Sequence, residues 1–208
     1  MLYWFGRIVV GPFFWLIFRP VVRNRQGLFS HGSVMYICNH FSLADAVALA
    51  AISPRNIRFM ALEKLFTKPL SAAFFRSLNM VPAGEEGGSR LGPVKRAIAL
   101  LNEGNAFGIY PEGHRSPVYT EMDTFEKGAA FIALRANVPI IPLYMDPLSW
   151  KRMRLRAVVG EPIIPEEVKA ACPGQKPVDA LADRIVDTLN TLRRETESMI
   201  PLRLRRKI

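Results

Sequence analysis

A histidine and an aspartate follow an apolar run in the stretch YICNHFSLAD, from Tyr36 to Asp45. An imidazole that is hydrogen-bonded to a carboxylate can act as a general base, because the carboxylate sets the tautomer and leaves the other ring nitrogen to accept a proton. His40 and Asp45 are five residues apart, so on one continuous helix they would lie about 140° apart around the axis. We therefore expect them to meet only if His40 lies in a loop and the helix starts at Ser42.

The same ten residues also have a purely structural interpretation. Ser42 to Asp45 matches the capping pattern S-x-x-D, in which the carboxylate accepts a hydrogen bond from the amide at the start of the helix. Asn39 and His40 would then simply end a strand. Catalysis and helix capping both account for Asp45, and this stretch alone leaves the two alternatives open.

A second polar loop, YPEGHR, begins at Tyr110 after another apolar run. Gly113 lies between the Glu112 carboxylate and the Arg115 guanidinium, so the backbone can approach a ligand closely while the guanidinium holds a phosphate by bidentate bonds. A turn closed by a Glu-Arg ion pair is the alternative. Of the three histidines, only His40 has a carboxylate at a useful spacing after a strand.

Other kinds of site have less support in the sequence. Ser42 lacks the G-x-S-x-G elbow, and Cys38 belongs to an apolar strand where a buried, inert thiol is expected. Direct attack by an acceptor activated at His40 is thus the simpler mechanism. The two cysteines form no metal-binding spacing, and we expect neither metal nor cofactor. The formal charge of +10 favours anionic partners, but no basic and aromatic strand motif or Cys/His finger indicates nucleic acid.

Apolar runs of strand length alternate with helical stretches along most of the chain. The predicted strands are residues 34–38, 57–61, 79–83, 106–110, 139–143 and 156–160. The predicted helices are residues 43–52, 64–78, 90–102, 125–136 and 177–199. This alternation predicts an α/β fold with a largely parallel sheet flanked by helices on both faces.

The first 22 residues are the most apolar part of the chain, but the uninterrupted run between Arg7 and Arg19 has only eleven residues. A membrane-spanning helix needs about 20. Aromatic rings flanked by arginines instead resemble an interfacial anchor, with a core helix as the alternative. The residues concerned are Trp4, Phe13, Phe14 and Trp15 with Arg7, Arg19, Arg23 and Arg25. We predict an anchor over residues 1–27 and one domain over residues 28–208.

Three ordered motifs resemble those of one known family. NHFSLAD resembles N-H-x-x-x-x-D, YPEGHRS resembles F-P-E-G-T-R-S, and VPIIPL resembles V-P-I-[IV]-P. Together they identify the chain as similar to the PlsC-like 1-acyl-sn-glycerol-3-phosphate (lysophosphatidic acid) acyltransferases, from about Ser33 to Pro162. The order and spacing of all three motifs make this resemblance specific, whereas each motif alone would be weak.

The resemblance implies transfer of a fatty acyl group from an acyl-CoA or acyl-carrier-protein thioester to a lysophosphatidate-type glycerolipid, giving phosphatidate. His40 would be the general base and Asp45 its orienting partner. Glu112, Gly113 and Arg115 would shape the acceptor pocket, with Arg115 meeting the phosphate. The expected partners are membrane lipids, a lysophospholipid acceptor and the thioester donor, and the expected location is monotopic on the cytoplasmic face of a membrane.

Lys127 and Arg90 are two further cations of the predicted site. Each lies where the sequence departs from the family pattern. Lys127 lies in FEKGAA, where the family usually has F-K-x-G. The arginine usual after the third strand is missing from VPAGEEGGSR unless Arg90 replaces it, and His114 stands where threonine is usual. Because these changes affect acceptor binding, another lysolipid acceptor remains an alternative. A catalytically silent, basic lipid-binding protein is the alternative from a different functional class.

Overall fold

The computed structural model describes residues 2–42, 44–61, 63–77, 79–82, 91–112 and 126–201, with only the backbone for residues 2–6 and 10. The strands are β1 (Val21–Arg23), β2 (Val34–Cys38), β3 (Ile57–Ala61), β4 (Met80–Pro82), β5 (Ala106–Ile109), β6 (Ile140–Met145) and β7 (Arg156–Val159). The α-helices are α1 (Leu2–Phe18), α2 (Asp45–Ile52), α3 (Pro69–Ser77), α4 (Leu91–Asn102), α5 (Gly128–Ala136), α6 (Ser149–Arg152), α7 (Pro165–Ala171) and α8 (Pro177–Ser198).

The seven strands form one sheet in the order β1-β7-β6-β2-β5-β3-β4. All neighbouring strands are parallel except β6 and β7, so the predicted α/β fold with a largely parallel sheet is confirmed. β2 lies between β5 and β6 and is parallel to both. The carboxyl ends of these three strands therefore lie at one edge, where functional loops of such sheets gather.

Two apolar clusters cover the two faces of the sheet, as a parallel sheet requires. One cluster contains residues of α1 and α2, and the other contains residues of α4, α5 and α8. All five side chains of β2 and all six of β6 are buried. The continuous apolar runs predicted as strands are thus explained by burial on both sides.

Several elements differ from the sequence prediction. Residues 64–78, predicted as one helix, form a 3₁₀ turn at Glu63–Phe66 and then α3, which starts at Pro69. Proline fits a first helical turn, where its missing N–H is not needed, better than a helix interior. The elements β1, α6 and α7, of three, four and seven residues, were not predicted because none of them shows a clear apolar periodicity.

The N-terminal helix α1 has two different faces. Phe14 is only 6% exposed and belongs to the core, and the Trp15 indole donates to the Ala51 carbonyl oxygen at 3.2 Å. Phe13 and Leu16, in contrast, are 62% and 70% exposed. The structure therefore corrects the prediction that placed Phe14 among the interfacial rings. Among the described residues no helix combines the length and the apolar character needed to cross a bilayer.

The segment predicted as an anchor, residues 1–27, contributes one strand to the sheet. β1 is the outermost strand on one side of the sheet and pairs in parallel with β7. The Arg7 guanidinium contacts the carbonyl oxygens of Ser53 and Arg55. Leu28, directly after this segment, is fully buried. The first strand therefore belongs to the same folded unit as the rest of the sheet.

Replacing Gly108 in β5 with alanine should destabilise the fold. A Cβ atom there would lie 2.4 Å from Cε1 of Phe59 and 3.0 Å from Cγ2 of Ile57, and overpacking of this kind costs about 1–3 kcal/mol. Urea denaturation measures the loss. Gly128→Ala is the matched control, because a Cβ at Gly128 meets nothing within 4 Å; an equal loss in both variants would contradict the packing explanation.

Candidate active site

The structure brings His40 and Asp45 together. His40 lies in the loop two residues after β2, and Asp45 is the first residue of α2, so the chain turns between them. The His40 Nδ1 and Asp45 Oδ2 atoms are 3.1 Å apart, and the two side chains are 19% and 6% exposed. The helix begins at Asp45 and not at Ser42, but the geometric condition that His40 lie outside the helix is met.

The Asp45 carboxylate also accepts the hydrogen bond from the Ser42 amide that the capping pattern predicted, although the N-cap residue of α2 is Ala44, whose side chain makes no capping bond. The Asp45 Oδ2 atom accepts hydrogen bonds from the backbone N–H groups of Phe41 and Ser42, both at 2.7 Å. The Ser42 hydroxyl oxygen accepts from the Ala44 N–H at 3.2 Å. A carboxylate at a helix amino terminus is also favoured by the helix dipole. Capping and the histidine contact therefore occur together and are not alternatives.

The carboxylate determines which His40 nitrogen can act as a base. An ionised carboxylate only accepts hydrogen bonds, so Nδ1 must carry the proton in its bond to Asp45. The Nε2 atom of the neutral ring is then the acceptor. This is the tautomer that general-base chemistry on a hydroxyl requires.

An aromatic column supports the imidazole. The rings of His40 and Tyr110 stack with centroids 4.2 Å apart at an interplanar angle of 21°. Phe59 continues the column beyond Tyr110, at 6.2 Å and 11°. Burial raises the pKa of Tyr110 well above its usual range, so the phenol is neutral. Its hydroxyl has no hydrogen-bond partner among the described residues.

Polar side chains tie the three strand ends at this edge to one another. The Asn39 Nδ2 group donates to the Met145 carbonyl oxygen, and Asn39 Oδ1 accepts from the Met145 N–H, both at 2.8 Å. Glu112 Oε1 accepts from the His40 N–H at 3.0 Å. The loop after β2 is thereby bound to β6 on one side and to the loop after β5 on the other.

Among the predicted cations and Gly113, the structure describes only Lys127. Gly113, Arg115 and Arg90 lie outside the described residues. Lys127 is described: its side chain is 66% exposed, and its Nζ atom lies 2.7 Å from Asp179 Oδ1 on α8. This hydrogen bond raises the pKa of Lys127 and lowers that of Asp179. The ammonium of Lys127 is therefore engaged with α8 in this structure.

The sequence prediction missed Trp150, which lies on the short helix α6. Its indole N–H donates to Asp45 Oδ1 at 3.1 Å, across 105 positions of the chain. The stretch DPLSW after β6 resembles an ordinary turn, and no spacing or motif in it points to Asp45. Tyr110 and Asn39 stood inside quoted motifs, but the sequence did not indicate their contacts either.

A mostly apolar cleft of about 600 Å³ lies between α1 and α2. Its lining includes Phe14, Ala46, Val47, Phe59 and Met80. Ala46 directly follows Asp45, and Phe59 belongs to the aromatic column behind His40. Two lining residues are thus neighbours of the site, although His40, Asp45 and Tyr110 do not themselves line the cleft. Within the part of the chain that the structure describes, no group of three or more metal-ligating side chains is present.

A largely parallel α/β sheet that pairs a histidine with a carboxylate at the carboxyl ends of its strands defines a class of proteins capable of general-base chemistry. Comparison with known proteins identifies the family within this class. The family model described as Acyltransferase matches residues 19–146, more than half of the chain. The chain therefore belongs to the acyltransferase family, and the resemblance drawn from its three motifs is confirmed.

Individual relatives agree with this assignment. A 1-acyl-sn-glycerol-3-phosphate acyltransferase of Bacillus subtilis is 26% identical over 186 residues, covering 86% of this chain and 90% of that relative. One of Cocos nucifera is 26% identical over 156 residues, covering 73% of this chain and 50% of its own. The crystal structure of the 1-acyl-sn-glycerophosphate acyltransferase PlsC of Thermotoga maritima has a TM-score of 0.68 at 22% identity, over 91% of this chain and 76% of that one, which shows a shared fold.

Thiol reactivity should separate the two cysteines. Cys38 is fully buried, and burial, followed by the charges of Asp45 and Glu112, raises the pKa of its thiol well above the usual range. Cys172 is partly exposed. Because only the thiolate reacts, we expect a thiol reagent at pH 8 to modify one cysteine in the folded protein and two in urea. Mass spectrometry identifies the site, and rapid native modification of Cys38 would contradict the assignment of a buried, neutral thiol.

Proposed function

We propose that this protein transfers a fatty acyl group from an acyl-CoA or acyl-carrier-protein thioester to the hydroxyl of a lysophosphatidate-type glycerolipid, giving phosphatidate. The observation that carries the proposal is the 3.1 Å contact of His40 Nδ1 with Asp45 Oδ2 at the sheet edge, in a chain of the acyltransferase family. The names of the Bacillus and Cocos relatives support the acceptor.

The reaction needs only one base. His40 Nε2 takes the proton of the acceptor hydroxyl while the oxygen attacks the thioester carbonyl carbon. Asp45 stabilises the imidazolium that forms. Collapse of the tetrahedral intermediate completes the ester, breaks the C–S bond, and returns the proton to the leaving thiolate. No covalent enzyme intermediate is required, and Cys38, buried and neutral, is unsuited to form one.

The acceptor phosphate would be met by cations beside this base. Arg115 is the first candidate by its place in the family motif, because a guanidinium binds phosphate oxygens in pairs. Gly113 would let the backbone approach, and Arg90 would replace the arginine missing from the earlier motif. Glu112 would act by holding the loop, since its carboxylate accepts from the His40 N–H. Lys127 is the weakest candidate, because a ligand would compete with Asp179 for its ammonium.

The apolar cleft between α1 and α2 offers a place for a fatty acyl chain. Its volume of about 600 Å³ lies within the usual range for ligand pockets. Its lining is dominated by apolar side chains, which suits a hydrocarbon rather than a sugar or a nucleotide. The contact between Phe59 and Tyr110 connects the cleft to the ring beneath His40.

Both substrates of the proposed reaction have acyl chains, so we propose a monotopic position on the cytoplasmic face of a membrane. The exposed face of α1 provides apolar contact through Phe13, Leu16 and Ile17. The net charge of +10 favours a surface of anionic lipid. Arg25, which lies 5.2 Å from the ring centroid of Trp15, places one cation beside this helix.

Acyl transfer by purified protein tests the proposal. We expect formation of phosphatidate from lysophosphatidate with at least one thioester type, and a fall in kcat/KM of about 10²- to 10⁴-fold in His40→Ala, because the general base is lost. His31→Ala is the matched control, since His31 is exposed and away from the sheet edge. Unchanged activity in His40→Ala would refute the base assignment.

The same assay with a panel of lysolipid acceptors separates the alternatives. Preference for a lysolipid with another headgroup would retain acyl transfer and reject lysophosphatidate as the acceptor. Lipid binding without turnover, with either thioester, would support a catalytically silent lipid-binding protein instead.

Membrane binding should depend on the exposed face of α1. Burying a side chain such as Leu or Phe is worth about 1.5–3 kcal/mol, so Phe13→Ser with Leu16→Ser should weaken co-sedimentation with phosphatidylglycerol vesicles by at least about 100-fold. Phe131→Ser with Leu91→Ser is the matched control, because it changes the same residue types at exposed positions of α5 and α4. Equal binding by both double variants would exclude α1 as the main attachment.

A further inference from the structure

We propose that Trp150 is a positioning residue for the His40–Asp45 pair, and that its indole connects this pair to the N-terminal helix α1. The role rests on the proposed function, since it requires His40 to act as the base. The indole of Trp150 packs on the rings of Phe14 and Phe18, whereas the described ring contact of His40 is with Tyr110. Trp150 acts through Asp45, by a hydrogen bond from the indole N–H to Asp45 Oδ1 at 3.1 Å.

The two oxygens of the Asp45 carboxylate have different surroundings. Oδ2 is near three nitrogens, the Phe41 and Ser42 amides at 2.7 Å and His40 Nδ1 at 3.1 Å. Among the described residues, the donor to Oδ1 is Trp150 alone. The terminal torsion of an aspartate is broad, so a carboxylate held by only one oxygen can rotate. A donor on the second oxygen restricts that rotation and holds Oδ2 toward the imidazole.

The short helix α6 is held firmly enough to position the indole. Asp146, at the end of β6, is buried, and its Oδ1 accepts from the Leu148 N–H at 2.9 Å. Its Oδ2 pairs with the guanidinium groups of Arg152 at 3.1 Å and Arg156 at 3.3 Å. These contacts connect both ends of α6 to the sheet. A helix of four residues could not be stable without such support.

Two aromatic rings of α1 pack against the indole. Phe18 meets it edge-on with centroids 4.8 Å apart at 75°, and Phe14 does so at 6.2 Å and 68°. The two phenylalanine rings also stack on each other at 4.8 Å. The contacts therefore run from α1 to Trp150, then to Asp45 and His40. Packing of α1 against Trp150 therefore helps to orient the proposed base, His40.

The replacement Trp150→Phe removes the donor and keeps an aromatic ring. We expect kcat to fall by about 10-fold or more, as for loss of a hydrogen bond to a charged group, with KM for both substrates within about 2-fold of wild type. Tyr36→Phe is the control for loss of a buried donor, because the Tyr36 hydroxyl donates to the Leu28 carbonyl oxygen at 3.1 Å. It should leave kcat unchanged. An unchanged kcat in Trp150→Phe would overturn the role.

A double-mutant cycle separates positioning from a merely structural contribution. If Trp150 acts through Asp45, then Trp150→Phe should cause no further loss of kcat in the Asp45→Asn background. Multiplied losses would mean that the indole contributes by a separate route and would overturn the proposal. Phe18→Leu, which removes the ring that braces the indole, should lower kcat in the wild-type background and not in Trp150→Phe.

A measurement without turnover covers the case in which Asp45→Asn does not fold. In ¹H–¹⁵N spectra the Trp150 indole proton, assigned by its loss in Trp150→Phe, should exchange with solvent more slowly than in urea-unfolded protein. Equally fast exchange would overturn the hydrogen bond. Failure of the proposed function is distinguishable from failure of this role: no acyl transfer by wild type rejects the function, whereas active wild type with unaffected Trp150→Phe rejects only the role.

Discussion

The structure of the site depends on one carboxylate that accepts four N–H donors. Asp45 joins the amides of the loop after β2, the imidazole of His40 and the indole of Trp150. A carboxylate that is nearly buried needs such donors, because burial of an unpaired charge is very costly. The contacts that satisfy Asp45 are the same contacts that set the direction of the histidine. Stability of the turn into α2 and orientation of the imidazole are therefore one requirement.

The parallel sheet is what makes this arrangement possible. Because β2, β5 and β6 run in the same direction, their carboxyl ends lie side by side. Asn39 then joins the first loop to the end of β6, and Glu112 joins it to the loop after β5. In an antiparallel arrangement the neighbouring ends would alternate between the two edges. The three segments would then lie too far apart to share hydrogen bonds.

The helix α1 combines two physical roles that are usually separate. One side contributes Phe14 to the core and packs rings on Trp150, while the other side exposes Phe13 and Leu16. An exposed apolar surface of this kind is typical of a site of interaction, and in the proposed function it would contact lipid. Because the proposed acceptor is a membrane lipid, the helix that would meet the membrane would also support the proposed base, His40. Membrane attachment and the orientation of His40 would then depend on the same helix, α1.

By itself the sequence determined the α/β alternation, the strands β2 to β7, the spacing of His40 and Asp45 and the loop at Glu112, because apolar periodicity and local spacing record these features directly. It left open whether Asp45 caps or orients, since both need the same residue at the same place. Only the tertiary structure decided that Asp45 does both, that Trp150 joins it, and which face of α1 is buried. These outcomes depend on how elements far apart in the chain pack together, as Asp45 and Trp150 do across 105 positions, and no local pattern encodes such a meeting.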